Sequence, residues 1–140
     1  TTLFRSEADP RGIEADGNLD GIYPDHLRQS DFAVENMTIV NNAANTTDNA
    51  DRMQDVIKIR RGAKTTITNA LVKGSGGTID LIDMNDSKGA GNAASSISIT
   101  YTLNFKNKLN GTLNTFTEPT TNTGADASLF TWSGYNFSSL

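Results

Sequence analysis

DVIKIRRGAKTTITNALVKG, residues Asp55–Gly74, decides the reading of this chain. It reads as a strand, a tight bend at Gly62 and a second strand. Ile57 and Ile59 alternate with Lys58 and Arg60, and β-branched residues fill the second half. A period of two sends successive side chains to opposite faces, so the isoleucines point inward and Lys58, Arg60 and Lys64 outward.

The same pattern recurs on both sides. Upstream, Ile13 and Ala15 alternate with Glu14 and Asp16, a polar loop covers Gly17–Ser30, and DFAVENMTIVN follows. There Phe32 and Val34 share one parity and Met37 and Ile39 the other. The phase changes at Asn36, which predicts two short strands bent at an asparagine. Asn69 stands in the same place before Leu71–Val72. After the polar stretch Asn41–Gln54 and the central segment comes TIDLID, with Ile79 and Leu81 expected inward and Asp80 outward. Lys88–Ala93 is a glycine-rich turn, and Ile97, Ile99, Tyr101 and Leu103 then alternate with Ser and Thr. No helical period is sustained. The sequence therefore predicts an all-β fold of stacked parallel coils: Arg11–Asn41, Asp55–Gly74 and Thr78–Leu103.

Parallel stacking makes a claim about charge. Aligning Ile13, Ile57 and Ile79 places Glu14, Lys58 and Asp80 in one outward row of alternating sign, with Asp16 opposite Arg60 in the next. Opposite charges on neighbouring strands contribute about 0.2–1 kcal/mol per pair, and like charges cost. Asn36 and Asn69 would stack at the common bend, where side-chain amides can form a hydrogen-bonded ladder.

Composition bounds the rest. The chain has 140 residues, 36% hydrophobic, with a net charge of −4 and no cysteine. That length suits one domain. The charge and the lack of any basic stripe exclude a nucleic-acid footprint, and no apolar run approaches the roughly 18–20 residues of a membrane span. Thiolate metal sites and disulfides are excluded. Residues 1–6, TTLFRS, match the in-frame translation of a sequencing-library adapter, and no Met begins the chain. They are expected to be a read artefact on a metagenomic fragment whose native chain continues upstream. Residues 7–104 are then read as the last coils, about three, and residues 105–140 as a C-terminal cap and irregular segment. The aromatic run LFTWSGYNF, with Phe130, Trp132, Tyr135 and Phe137, is expected to cover the open end of the last coil. Its rival reading is a carbohydrate platform on Trp132 and Tyr135.

With RGIEAD at Arg11–Asp16, NMTIV at Asn36–Val40 and DVIKIRRG at Asp55–Gly62, the chain resembles a group of secreted or surface β-helix proteins of Gram-negative bacteria, many with a lipoprotein signal. Val56 departs from the glycine common in that group. The resemblance covers most of Ala8–Lys73. It implies a right-handed parallel β-helix like that of pectate lyases, an extracellular or outer-membrane-surface location, and upstream coils of the same chain as partner. It brings no established activity.

Two constellations could carry chemistry. In DGNLDG, Asp16, Asn18 and Asp20 alternate before Gly21, the first half of a calcium-loop pattern that converges oxygens on a hard cation. Leu27 stands where the bidentate Glu belongs, and Asp25 lies two positions early. A turn whose Asx side chains satisfy their own backbone explains the same letters. Lys58, Arg60 and Lys64 on one face could meet an acidic glycan, against the plainer reading of a paired charge row. His26 stands alone in its loop, and no catalytic-triad or phosphate-loop spacing occurs. The expected function is non-catalytic, structural or polysaccharide-binding. A polysaccharide lyase or hydrolase with its site mainly upstream, and a calcium-stabilised adhesin module, are the alternatives.

Overall fold

Alternating apolar residues form eight strands in a computed structural model, which describes residues 10–17, 29–42, 53–76 and 80–137. In chain order these are β1 (Ile13–Asp16), β2 (Asp31–Asn41), β3 (Asp55–Arg60), β4 (Lys64–Gly74), β5 (Asp80–Asp83), β6 (Ser96–Tyr101), β7 (Asn107–Asn110) and β8 (Thr115–Thr117). Odd strands form one sheet, β1-β3-β5-β7, and even strands a second, β2-β4-β6-β8. Every strand pairing within them is parallel. Parallel neighbours cannot be joined by a hairpin, so the chain crosses to the other sheet between each pair. The architecture is all-β with parallel sheets, as the sequence predicts, and neither sheet closes on itself.

The core lies where the inward residues of both sheets meet. Ile57, Ile59 and Ile82 come from the odd sheet, and Ile67, Val72, Ile97 and Ile99 from the even one. Each such side chain, fully removed from water, stabilises the fold by roughly 1.5–3 kcal/mol. At the corner between β3 and β4, Arg61 and Gly62 both take positive φ, 56° and 82°. The next coil braces that corner: Arg61 N donates to Gly89 O at 2.6 Å and Gly62 N to Ala90 O at 2.9 Å.

The register of β1 on β3 is the expected one, Ile13 beside Ile57 and Asp16 beside Arg60. The register of β5 is not. Ile82 rather than Ile79 continues the isoleucine row, Asp83 lies beside Lys58, and Asp80 lies beside Asp55. Ile79 is outside the described residues. TIDLID offers apolar residues on both parities, and the choice between them is made by the neighbours of Asp80 and Asp83, not by local alternation.

β2 and β4 each run unbroken through their asparagine, in place of the two short strands expected. Asn36 and Asn69 absorb the phase change in left-handed conformations, with φ of 56° and 50°, which Asn tolerates better than other residues with a Cβ. At Asn69, β4 carries one residue more than β6, a bulge between Ile67 and Ala70. Asn69 Nδ2 donates to Asn36 Oδ1 at 2.8 Å, the ladder the sequence predicts.

Stacking also continues past residue 104, where the sequence reading ended the coils: β7 pairs with β5, and β8 with β6. After β8 the chain turns back as a strap across the outer face of the even sheet. Thr100 Oγ1 donates to Pro119 O at 2.5 Å, Thr123 N donates to Asn69 Oδ1 at 2.8 Å, and Ala125 N donates to Thr38 Oγ1 at 2.9 Å. It thus crosses β6, β4 and β2 in turn. Gly124, at φ 71°, lies so close that a Cβ there would meet Leu71 Cβ at 2.9 Å. A short 3-10 helix, Ala127–Ser133, follows, capped by Asp126 and Gly134. Its Phe130, with Phe137 just beyond it, lies by Val40 and Lys73 of β2 and β4. The aromatic segment, expected over the open end of the last coil, thus has Phe130 and Phe137 against the outer face of the even sheet, beyond a strap held by the amide of Asn69.

Asn69→Ala is expected to destabilise the protein by about 2–4 kcal/mol, through the left-handed backbone and the lost strap hydrogen bonds. Asn69→Gly should cost less, because it keeps the backbone and loses only the amide. Urea unfolding midpoints of the two variants check the order.

Candidate functional site

Parallel rows on the odd sheet gather most of the charged residues singled out in the sequence. One row reads Glu14, Lys58, Asp83, Asn110, and another Asp55, Asp80, Asn107. Lys58, expected on the surface, is only 8% exposed, and Asp55, Asp80 and Asp83 are as deeply buried. A buried charge needs a partner. Lys58 Nζ is paired with Asp83, not with Asp80 as the shifted register had it. Arg11 Nε donates to Asp55 Oδ2 at 2.5 Å. Asn107 Nδ2 donates to Asp80 Oδ1 at 2.6 Å, and Asn110 Nδ2 to Asp83 Oδ1 at 3.0 Å.

Arg60 ties the upper rows together. Its Nε donates to Asp16 Oδ1 at 2.6 Å and its Nη2 to Asp16 Oδ2 at 3.1 Å, a bidentate pair. The same guanidinium reaches Glu14 Oε1 at 2.5 Å and Asp86 Oδ2 at 3.4 Å. Arg61 adds ion pairs to Asp16 at 3.7 Å and Asp86 at 3.5 Å, and Arg11 one to Glu14 at 3.6 Å. Signs alternate without a break from Asp55 through Arg11, Glu14, Arg60 and Asp16 to Arg61 and Asp86.

The expected glycan-binding set is thus divided. Lys58 and Arg60 belong to this network, whereas Lys64 pairs with Asp31 at 3.0 Å on the even sheet. Of the expected calcium set, Asn18, Asp20 and Asp25 lie outside the described residues, and both carboxylate oxygens of Asp16 accept from Arg60. A different group of acids is brought together instead. Asp55, Asp80 and Asp83 each place a carboxylate oxygen within 4.8 Å of the others. Three oxygens at that spacing could close on a hard cation, although Lys58 and Arg11 already supply counter-charge to two of them. Arg11, Asp55, Asp83 and Asp86 were not singled out as site residues. The signal for Asp83 was its place opposite Lys58, legible only with the register of β5.

Burial pushes the Asp55 carboxyl above the usual aspartate range, against the pull of the Arg11 hydrogen bond. Asp86 moves the other way, held low first by the backbone N–H of Lys88 and then by the nearby arginines. No protein-family model, curated protein or solved structure matches the chain. No helix among the described residues is long and apolar enough to cross a membrane.

Two outcomes test the network. Lys58→Met strands the carboxylates and is expected to cost about 3–5 kcal/mol, while Lys58→Met combined with Asp83→Leu should recover most of it. Thermal unfolding of the single and double variants reads this. The pH dependence carries both signs. Because its folded pKa is raised, Asp55 contributes stability that is fully present below about pH 3.8 and is lost as pH rises through the folded value. Asp86, with a lowered folded pKa, contributes stability that is present above about pH 3.8 and is lost as pH falls through the folded value. Urea midpoints across the acid range should show Asp55→Asn removing the first component alone.

Proposed function

We propose that the two sheets are successive walls of a right-handed parallel β-helix, and that the chain is a non-catalytic, structural or polysaccharide-binding part of an exported or cell-surface protein. The observation that carries this reading is the alternation of strands between two parallel sheets, each coil laid in register on the one before. The general preference of parallel crossovers for the right hand supports the handedness. The resemblance of Arg11–Asp16, Asn36–Val40 and Asp55–Gly62 to secreted β-helix proteins supports the location.

The charge network supports a non-catalytic role. A pectate-lyase-like reaction needs an arginine free to take a proton from C5 of a uronate. Arg60 commits its Nε and both terminal nitrogens to Glu14, Asp16 and Asp86. Its pairing with Asp83 likewise keeps Lys58 from a ligand.

Passage of the protein over immobilised polyuronate and over neutral polysaccharide, with ultraviolet detection of unsaturated product, tests the reading. Retention on at least one matrix without absorbing product is the expected result. Accumulation of unsaturated product would overturn the non-catalytic assignment.

A further inference from the structure

Lys58 is the one buried lysine among the described residues, and what surrounds it exceeds the needs of an ion pair. Its Nζ meets Asp83 Oδ2 across directly paired positions of β3 and β5. The other oxygen of that carboxylate is held by two N–H donors, Asn85 N at 2.9 Å and Asn110 Nδ2 at 3.0 Å. A third carboxyl stands alongside. Asp55 has an oxygen within 4.8 Å of one on Asp83, is as buried as the pair and feels the charge of both partners. Lys64 and Lys108, by contrast, pair with one carboxylate each, Asp31 and Glu118, in positions open to water.

These are the parts of an acyl transfer: an amine against a carboxyl carbon, two donors on the oxygen where negative charge would develop, and an acid in reach to move protons. We propose that Lys58 and Asp83 close an intramolecular isopeptide bond, which ties β3 covalently to β5. The proton of the pair first passes from Nζ to Oδ2, giving an amine and a carboxylic acid, forms that a dry site tolerates better than separated charges. Nζ then attacks Cγ of Asp83, and the oxyanion forms on Oδ1, where Asn85 N and Asn110 Nδ2 stabilise it. Asp55 gives a proton to Oδ2 and takes one from Nζ, so it ends as it began. The Cγ–Oδ2 bond breaks, the oxyanion collapses to the amide carbonyl, and one water leaves. One C–N bond is made, one C–O bond is broken, and nothing is oxidised or reduced.

Burial holds the Asp55 carboxyl above the usual aspartate range, which keeps a proton at hand for that relay. An amine and a carboxylic acid do not condense readily in bulk water. Held in place within one fold, such groups reach effective concentrations of about 10⁵–10⁸ M, and the buried site excludes the water that would reverse the step. The bond forms once, on the chain's own residues, so it goes beyond the structural reading without altering it. Like a disulfide, it would restrict the unfolded chain, here by closing the loop between Lys58 and Asp83. The cost of breaking the Lys58–Asp83 ion pair belongs to the chain before closure.

The intact mass of the folded chain reads the bond directly. It is expected to fall below the sequence mass by one water, with the loss located in a proteolytic fragment that joins Lys58 to Asp83. Lys58→Arg keeps the cation without the nucleophilic amine and should keep the full mass. Asp83→Asn should close with loss of one ammonia in place of water. Asp55→Asn, shown to be folded by its urea midpoint, should close about a hundredfold more slowly. The parent chain held in urea from the start should keep the full mass, because only the fold brings the groups together. A folded parent that keeps the full mass on prolonged incubation would overturn the proposal, as would a water loss located elsewhere or an ammonia loss located at Asn110. Closure of Asp55→Asn at the parent rate would overturn the relay through Asp55.

Discussion

Parallel in-register stacking imposes one condition on this chain from which the other features follow. Each side chain lies about 4.8 Å from its counterpart on the next strand, so a residue type that suits one coil must tolerate itself, or its complement, on the neighbours. Apolar rows meet the condition without difficulty, as Ile13, Ile57, Ile82 and Leu109 do. Charged rows meet it only by changing sign. Glu14, Lys58, Asp83 and Asn110 run negative, positive, negative and neutral. Where the sign does not change, at Asp55 beside Asp80, outside groups make up the difference: Arg11 on one carboxylate and Asn107 on the other. Burial, before any neighbouring acid, lifts the pKa of Asp55.

Polar rows meet the same condition by hydrogen bonding. Asn36 and Asn69 stack at the two bends, and the amide that closes the ladder also receives the strap. Asn69 Oδ1 accepts from Thr123 N while its Nδ2 donates to Asn36. A bulge residue in β4 is thereby tied to a segment more than fifty positions away in the chain. β6 has no asparagine at the bend, and Asn122 of the strap donates to Ser98 Oγ at 3.3 Å and to Ala70 O at 3.2 Å there. One local irregularity in the strands thus decides where the C-terminal segment lies.

Much of this was legible in the sequence, and the limits have physical causes. Pairing of β1 on β3 and of the two asparagines could be read because one parity is apolar and the other carries single charges or amides. β5 could not be placed because Ile79, Leu81 and Ile82 satisfy either phase, and the deciding groups, Asn107 and Asn110, lie on a strand not yet identified. That strand, β7, and its companion β8 hold one apolar residue each, too few for an alternation to show. The strap is polar, and its partners are backbone and side-chain groups of distant strands, so nothing local marks it. Burial of Lys58 was missed for a related reason. Alternation tells which face a residue takes, but not whether that face is wet.

The two sheets of the stack handle their polar groups differently. On the odd sheet, cations and carboxylates are interleaved until each cation has an acid within ion-pair distance. A ligand there would have to displace an existing partner, and stranding a buried charge costs several kcal/mol. On the even sheet, the outer positions Thr38, Leu71 and Thr100 are neutral, and the strap covers them only in part. What remains is an apolar hollow with aromatic rings at its margin. The charge-rich face therefore serves cohesion between strands, and the charge-poor face takes the C-terminal strap.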